Sequence, residues 1–173
     1  MTTRLDYATL DLMDALDLAV LIELEAFERY KMFANQLGHH YPGDATSIFS
    51  SMAENEAKHG QELAKRREAM FGDLPPRISR DDLYDVEAPD QGATNARMSP
   101  LGALEVALSS EQKAFDFYNH ALTHITDAKI KTLFIELRDE ETDHIRMVRE
   151  AIAALPEGSD IDREEDEDEY PAL

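Results

Sequence analysis

Two glutamate–histidine pairs, each three residues apart, are the side chains in this sequence best suited to bind metal. They are Glu56 with His59 and Glu141 with His144. Residues three apart on an α-helix lie on the same face, so each pair would project toward one point. One such pair is weak, because chance gives about one in a chain of this composition. Two pairs in matching halves of the chain are far more specific.

Two further glutamates, Glu23 and Glu111, lie within the apolar stripes of their predicted helices. A carboxylate that faces a core is costly unless it is paired, protonated or bound to metal. Four such glutamates and two neutral histidines present four negative charges, which two divalent cations would balance. We therefore expect a site for two metal ions. The alternative is a metal-free bundle whose core acids are satisfied in other ways.

The sequence contains an internal repeat that relates these residues. The segment Leu16–Tyr30 matches Leu104–Tyr118, and Glu56–His59 matches Glu141–His144. In each half, a glutamate on the first helix of a hairpin is followed by a Glu-x-x-His pair on the second. The repeat predicts two helical hairpins that pack face to face, as four amphipathic helices do when one chain buries them together.

Apolar residues spaced by three and four predict four long helices and an all-α fold. We expect a four-helix bundle over 1–156, with a long crossover at about 73–98 that contains one short helix after Ser79. An acidic tail follows over 157–173. The predicted helices run from about Leu10 to Leu37, from an N-cap at Asp44 to about Phe71, from an N-cap at Ser99 onward, and from Asp127 to a stop at Pro156–Gly158.

The composition restricts the chemistry further. The 173 residues carry a net charge of −20, and such a surface repels nucleic acid and anionic membranes, so we expect neither as a partner. The chain has no cysteine, which excludes disulfides, zinc ribbons and thiol catalysis by its own residues. The N-terminus lacks a basic, apolar signal pattern, and no apolar run is long enough to span a bilayer. We therefore expect a cytoplasmic protein.

These motifs resemble the ferritin-like superfamily, and most closely its rubrerythrin-type (erythrin-like) branch. The resemblance rests on the two Leu-x-x-Ala-x-x-x-Glu-x-x-Ala-x-x-x-Tyr segments and the two Glu-x-x-His pairs, and it covers about Leu10 to Leu155. It implies two iron ions, with manganese or zinc as substitutes. The implied ligands are Glu56 and Glu141, which would bridge the metals, and four terminal ligands: Glu23, His59, Glu111 and His144.

The resemblance also gives Tyr30 and Tyr118 a role as supporting residues that hydrogen-bond ligand carboxylates. The alternative is that both are ordinary core tyrosines. Two departures from the family pattern matter. Without cysteine the chain cannot build a rubredoxin-type iron centre, so an external electron donor is implied. Rubrerythrins also carry an extra carboxylate where this chain has Ala114, which implies that both metals keep their histidine ligands in both redox states.

The resemblance implies an oxidoreductase that reacts with peroxide or oxygen, by peroxide reduction or iron oxidation. A di-iron hydroxylase of an organic substrate and a non-catalytic module for iron binding or delivery remain alternatives. We expect His120 and His124 to lie away from the site, and His39–His40 to lie in a turn. Apolar residues off the core stripes, Leu24, Met32 and Phe117, favour a homodimer.

Overall fold

The computed structural model describes residues 8–37, 45–80 and 98–158, which form a bundle of four α-helices. Helices α1 and α2 pack as one hairpin, α3 and α4 pack as a second, and α2 also contacts α3. The predicted all-α, ferritin-like four-helix bundle is therefore confirmed. The predicted turn at His39–His40, the N-cap at Asp44, most of the crossover and the tail from 159 onward lie outside the described residues. The helices are α1 (Leu12–Leu37), α2 (Ala45–Phe71), α3 (Pro100–Ala121) and α4 (Ala128–Ala153).

The ends of the helices follow from local side-chain chemistry. The Ser99 hydroxyl accepts a hydrogen bond from the Gly102 amide at the start of α3, where Pro100 occupies the first helical position. Asp127 caps α4 by accepting from the amides of Lys129 and Ile130. At the end of α2, Gly72 adopts a positive φ of 59°, a left-handed conformation that favours glycine. The predicted N-cap at Ser99, the end of α2 at Phe71 and the start of the fourth helix after Asp127 are confirmed.

The apolar core consists of two clusters separated by a polar layer. One cluster joins the first half of α1 to the second half of α3 and the first half of α4, and includes Leu16 and Phe134. The other joins the second half of α1 to the first halves of α2 and α3, and includes Phe33 and Phe49. On all four helices, the predicted metal-binding glutamate lies at the boundary between the two clusters. The fold therefore holds all four carboxylates at one level of the bundle.

Three sequence-based details were wrong. Helix α1 begins at Leu12 rather than Leu10. The apolar stripe of α2 also predicts Met70 as a core residue, but it is 47% exposed. Phe117, assigned to a surface off the core stripe, is partly buried against the first cluster. Leu24 and Met32 are exposed, as expected. None of the described helices has the length and apolar character needed to cross a membrane.

A buried ion pair ties the loop after α2 to α1. The Arg67 guanidinium donates to Asp17 Oδ1 at 2.7 Å, and it also donates to the carbonyl oxygens of Gly72 and Leu74. Asp17 is 7% exposed. A charged group at that depth requires a partner, so Arg67 stabilises both the carboxylate and the path of the chain leaving α2.

Candidate metal centre

The six residues predicted as metal ligands converge at the boundary between the two apolar clusters, one glutamate from each helix and one histidine from each of α2 and α4. Burial is nearly complete for five of them, since the four glutamates are at most 2% exposed and His144 is 4% exposed. His59 differs, with a quarter of its side chain open to solvent. The layer is thus a buried polar site with one accessible member.

In the second hairpin, a histidine lies between two carboxylates. His144 Nδ1 lies 3.0 Å from Glu111 Oε2 and 3.5 Å from Glu141 Oε2. Ligand atoms of these three residues lie within 4.8 Å of one another, close enough to hold one metal ion. The Glu-x-x-His spacing on α4 achieves this because residues 141 and 144 lie on one helical face.

The first hairpin repeats the arrangement more loosely. His59 Nδ1 lies 3.8 Å from Glu23 Oε2. Glu56, His59 and His144 form a second group whose ligand atoms lie within 4.8 Å of one another. The His59 and His144 rings are parallel, with centroids 5.0 Å apart and an interplanar angle of 2°. The stacked rings join the two hairpins, so the two groups form one continuous site.

Two carboxylates in this layer strongly favour their protonated forms. Burial raises the pKa of Glu56 well above its ordinary value, and the charges of Glu111 and Glu23 raise it further. Burial and the charge of Glu111 raise the pKa of Glu141 in the same way. Without a cation, the folded protein therefore holds protons on these groups at pH values where exposed glutamates are ionised.

Within the layer, Glu111 and His144 form a charged pair in which Glu111 favours its ionised form and His144 its protonated form. Burial raises the pKa of Glu111, but the hydrogen bond and charge of His144 outweigh it, so the pKa falls below its ordinary value. Burial lowers the pKa of His144, yet the hydrogen bond to Glu111 raises it above the ordinary value overall. At His59, burial and the charge of His144 lower the pKa. These opposite shifts favour a proton on the His144 ring, which that nitrogen would have to release before it could bind a metal.

The donors fit a pair of divalent metal ions. Neither carboxylate oxygen of Glu56, nor Oε2 of Glu141, accepts a hydrogen bond from a described residue. Buried oxygens normally have partners, and a bound cation would supply one for these carboxylates and balance their charge. Four carboxylates and two imidazoles form an oxygen-rich set with some nitrogen, which suits iron or manganese and accommodates zinc.

The two tyrosines and Ala114 surround this layer. The Tyr30 hydroxyl donates to Glu111 Oε1 at 2.8 Å, reaching from α1 to α3, and burial and the charge of Glu111 raise the pKa of Tyr30 well above its ordinary value. Tyr118 is fully buried, with its ring edge-on to Phe134. Ala114 is also fully buried and belongs to the first apolar cluster. The position where the family pattern expects an extra carboxylate is therefore apolar in this chain.

His120 and His124 lie apart from the site. Both are exposed, and their rings meet edge-on at 4.9 Å. In the part of the chain that the structure describes, neither belongs to a group of three metal-binding side chains.

Gly60 was missed by sequence reasoning. A Cβ atom at residue 60 would lie 3.3 Å from Glu23 Cβ, closer than most such contacts, so glycine allows α2 to approach α1 beside the site. A glycine in mid-helix next to a candidate ligand was the available signal, since it costs about 1 kcal/mol relative to alanine without such a reason.

Comparison with known proteins agrees with this geometry. The sequence pattern of the Rubrerythrin family matches residues 14–97 and 102–172. The chain belongs to the Rubrerythrin family. No curated protein matches it.

Two solved structures of uncharacterized proteins resemble this chain. A conserved protein of Magnetospirillum magnetotacticum is 28% identical, with a TM-score of 0.66, over 85% of this chain and 97% of that one. A hypothetical protein of Pyrococcus furiosus is 22% identical, with a TM-score of 0.52, over 84% of this chain and 90% of that one, and it supports the fold alone. Membership of the Rubrerythrin family implies a carboxylate-bridged metal centre, and the Glu/His layer is a place in this chain where such a centre fits.

Proposed function

We propose that this Rubrerythrin-family chain is a di-iron oxidoreductase that reacts with peroxide or oxygen, either to reduce peroxide or to oxidise iron. Glu56 and Glu141 would hold the two iron ions together with four further ligands. The observation that carries the proposal is the buried layer of four carboxylates and two histidines, in which three carboxylate oxygens lack hydrogen-bond donors among the described residues. The four further ligands proposed are Glu23, His59, Glu111 and His144.

The chain's own residues would prepare and protect this chemistry. When bound, the two iron ions supply the electrons that reduce the O–O bond of the oxidant. The Tyr30 hydroxyl holds Glu111 in a fixed orientation through its 2.8 Å hydrogen bond. His144 must release its proton before Nδ1 is available to a metal, so binding would free a proton at that atom. The apolar clusters shield the layer from water on either side, while His59, a quarter of whose side chain is exposed, leaves one opening to solvent.

The size of the open space beside the site favours a small oxidant. A cleft of about 210 Å³ is lined in part by His59. Pockets for organic ligands usually occupy about 300–1,000 Å³. This cleft accommodates peroxide or oxygen more readily than an organic substrate, and a larger pocket of about 480 Å³ among the described residues is lined by none of the six ligands, so a hydroxylase is the weaker alternative. Since the chain contains no cysteine for a thiolate-bound iron centre, the proposal includes a separate electron donor.

An anaerobic iron(II) titration followed by rapid mixing with peroxide, and separately with oxygen, tests the proposal. We expect two iron ions per chain and fast oxidation by at least one oxidant. Glu111→Ala should abolish the fast phase. Two tightly bound ions that react with neither oxidant would contradict the reaction and favour the iron-binding or delivery alternative.

We also propose that the chain forms a homodimer through α1. Leu24 is 37% exposed and Met32 is 36% exposed on that helix. Phe117, which packs partly against the core, adds less to such a surface than the sequence suggested. Light scattering of the purified protein should give twice the mass of the chain, and Leu24→Glu should give the monomer mass. A wild-type monomer would contradict the proposal.

A further inference from the structure

A cleft between α2 and α4 leads from solvent to the only candidate ligand that is partly exposed. Each helix contributes four residues at positions i, i+3, i+4 and i+7, which is the spacing of one helical face. The cleft runs about two turns along α2, starting at His59. Its lining residues are His59, Glu62, Leu63 and Arg66 on α2, and Leu133, Glu136, Leu137 and Glu140 on α4.

The floor and the rim of this cleft differ in character. Leu63, Leu133 and Leu137 are buried and form an apolar floor. The rim is charged, and Arg66 spans it by donating to Glu136 Oε2 at 2.7 Å. That ion pair neutralises the end of the cleft farthest from His59. Glu62 and Glu140, both exposed, line the end nearest His59, and no described lysine or arginine pairs with either.

Next to His59, beyond the lining of the cleft, lies a buried carboxylate that accepts no hydrogen bond from a described residue. Ligand atoms of Glu56 and His59 lie within 4.8 Å of each other, and both oxygens of Glu56 lack hydrogen-bond donors among the described residues. Glu56 itself is 1% exposed. A cation that entered the cleft would therefore pass from two exposed carboxylates to an imidazole and then to a buried carboxylate.

We propose that this cleft is the route by which divalent metal ions reach the buried site, with Glu62 and Glu140 drawing the cation toward His59. The inference rests on the proposed two-metal site and adds the residues that govern its loading. The unequal exposure of the two histidines supports entry from this side, because His144 is buried while His59 faces the cleft. Negative charge concentrated at the mouth of a narrow cleft raises the local cation concentration and the association rate.

Anaerobic loading of the metal-free protein with cobalt(II), followed by its visible absorption in a stopped-flow instrument, tests the route. Glu62→Gln combined with Glu140→Gln should slow loading by about tenfold at low salt and leave the final stoichiometry unchanged. The matched control is Glu54→Gln combined with Glu105→Gln, which removes the same charge from exposed positions outside the cleft. High salt should shrink the difference between the two double variants, because ions screen the steering.

The outcomes separate the route from the proposed function. Equal loading rates in the two double variants would overturn the route, and so would a lower final stoichiometry in the cleft variant, since that would make Glu62 or Glu140 a ligand. Glu62→Lys should slow loading further than the neutral change. Wild-type protein that takes up no cobalt would overturn both the route and the site. Wild-type protein that loads by the cleft but reacts with neither oxidant would overturn the reaction alone.

Discussion

Replacing Glu56 with glutamine should stabilise the metal-free protein while weakening the metal site. Glu56 is buried, neither of its oxygens accepts a hydrogen bond from a described residue, and the charges of Glu111 and Glu23 act against its ionisation. Glutamine keeps the shape and removes the charge. The variant therefore separates what this side chain does for folding from what it does for metal binding.

The size of the stability change follows from comparing a buried carboxyl group with a buried amide. Near neutral pH, Glu56 costs the metal-free fold about 3–5 kcal/mol, either as a buried charge or as a proton that the unfolded chain would release, whereas a neutral amide without partners costs about 1–3 kcal/mol. The metal-free variant should thus be about 2 kcal/mol more stable than wild type near neutral pH. For a chain of this length, that difference raises Tm by about 4–8 °C.

Thermal and urea unfolding in the presence of chelator measure the effect. The pKa of Glu56 is raised in the folded state, so wild-type stability is retained below its ordinary value of 4.5 and is lost as pH rises through the folded value. The advantage of Glu56→Gln should accordingly be present near pH 7.5 and shrink near pH 4.5. Glu54→Gln, an exposed change on the same helix, should alter nothing. A Glu56→Gln protein less stable than wild type near pH 7.5 would refute the reasoning.

Four further expectations concern the site and its supports. Glu111→Ala should lower metal content below two ions per chain by elemental analysis, while removal of His120 and His124 together should leave the core content unchanged; two tight ions in the first variant would contradict the ligand assignment. Metal-free wild-type protein should lose stability as pH rises from about 5 to about 8, because the raised carboxylate pKa values dominate the pH dependence of folding. Metal-loaded protein should gain stability over the same range. A metal-free protein whose stability does not change with pH would count against a clustered-acid site. Arg67→Met should lower the free energy of unfolding by about 2–4 kcal/mol, because it leaves its buried carboxylate partner on α1 unpaired. Urea unfolding measures this loss, and a clearly smaller value would contradict the prediction. Ala114→Glu should supply a seventh ligand that lets one metal leave its histidine on reduction. Paired crystal structures of the oxidised and reduced proteins test this. A metal that leaves its histidine in the wild-type protein as well would show that Ala114 is irrelevant.

The bundle could be predicted from the sequence because the apolar pattern that marks the buried face of a helix occurs in both halves of the repeat. The position of the four glutamates followed from the same stripes, since each interrupts an apolar face at the level where the two core clusters meet. The Ser99 cap and the start of α4 after Asp127 could be predicted because capping depends on one side chain and the amides next to it.

Features that depend on the approach of two helices could not be read in this way. The contact that requires Gly60, the pair between Asp17 and Arg67, and the partial exposure of His59 all depend on distances between helices. The repeat relates His59 to His144 without distinguishing them, so it did not predict that one would face a cleft and the other would be buried. Met70 was misassigned because helical periodicity gives the face on which a residue lies but not whether another element covers it.

Anomalous X-ray diffraction at the iron edge, from crystals loaded anaerobically with iron(II), tests the central claim most directly. The account predicts two peaks about 4 Å apart or closer, both between the two apolar clusters and within bonding distance of the six Glu and His side chains. A single peak, or peaks at His120 and His124 with none in the buried layer, would contradict it.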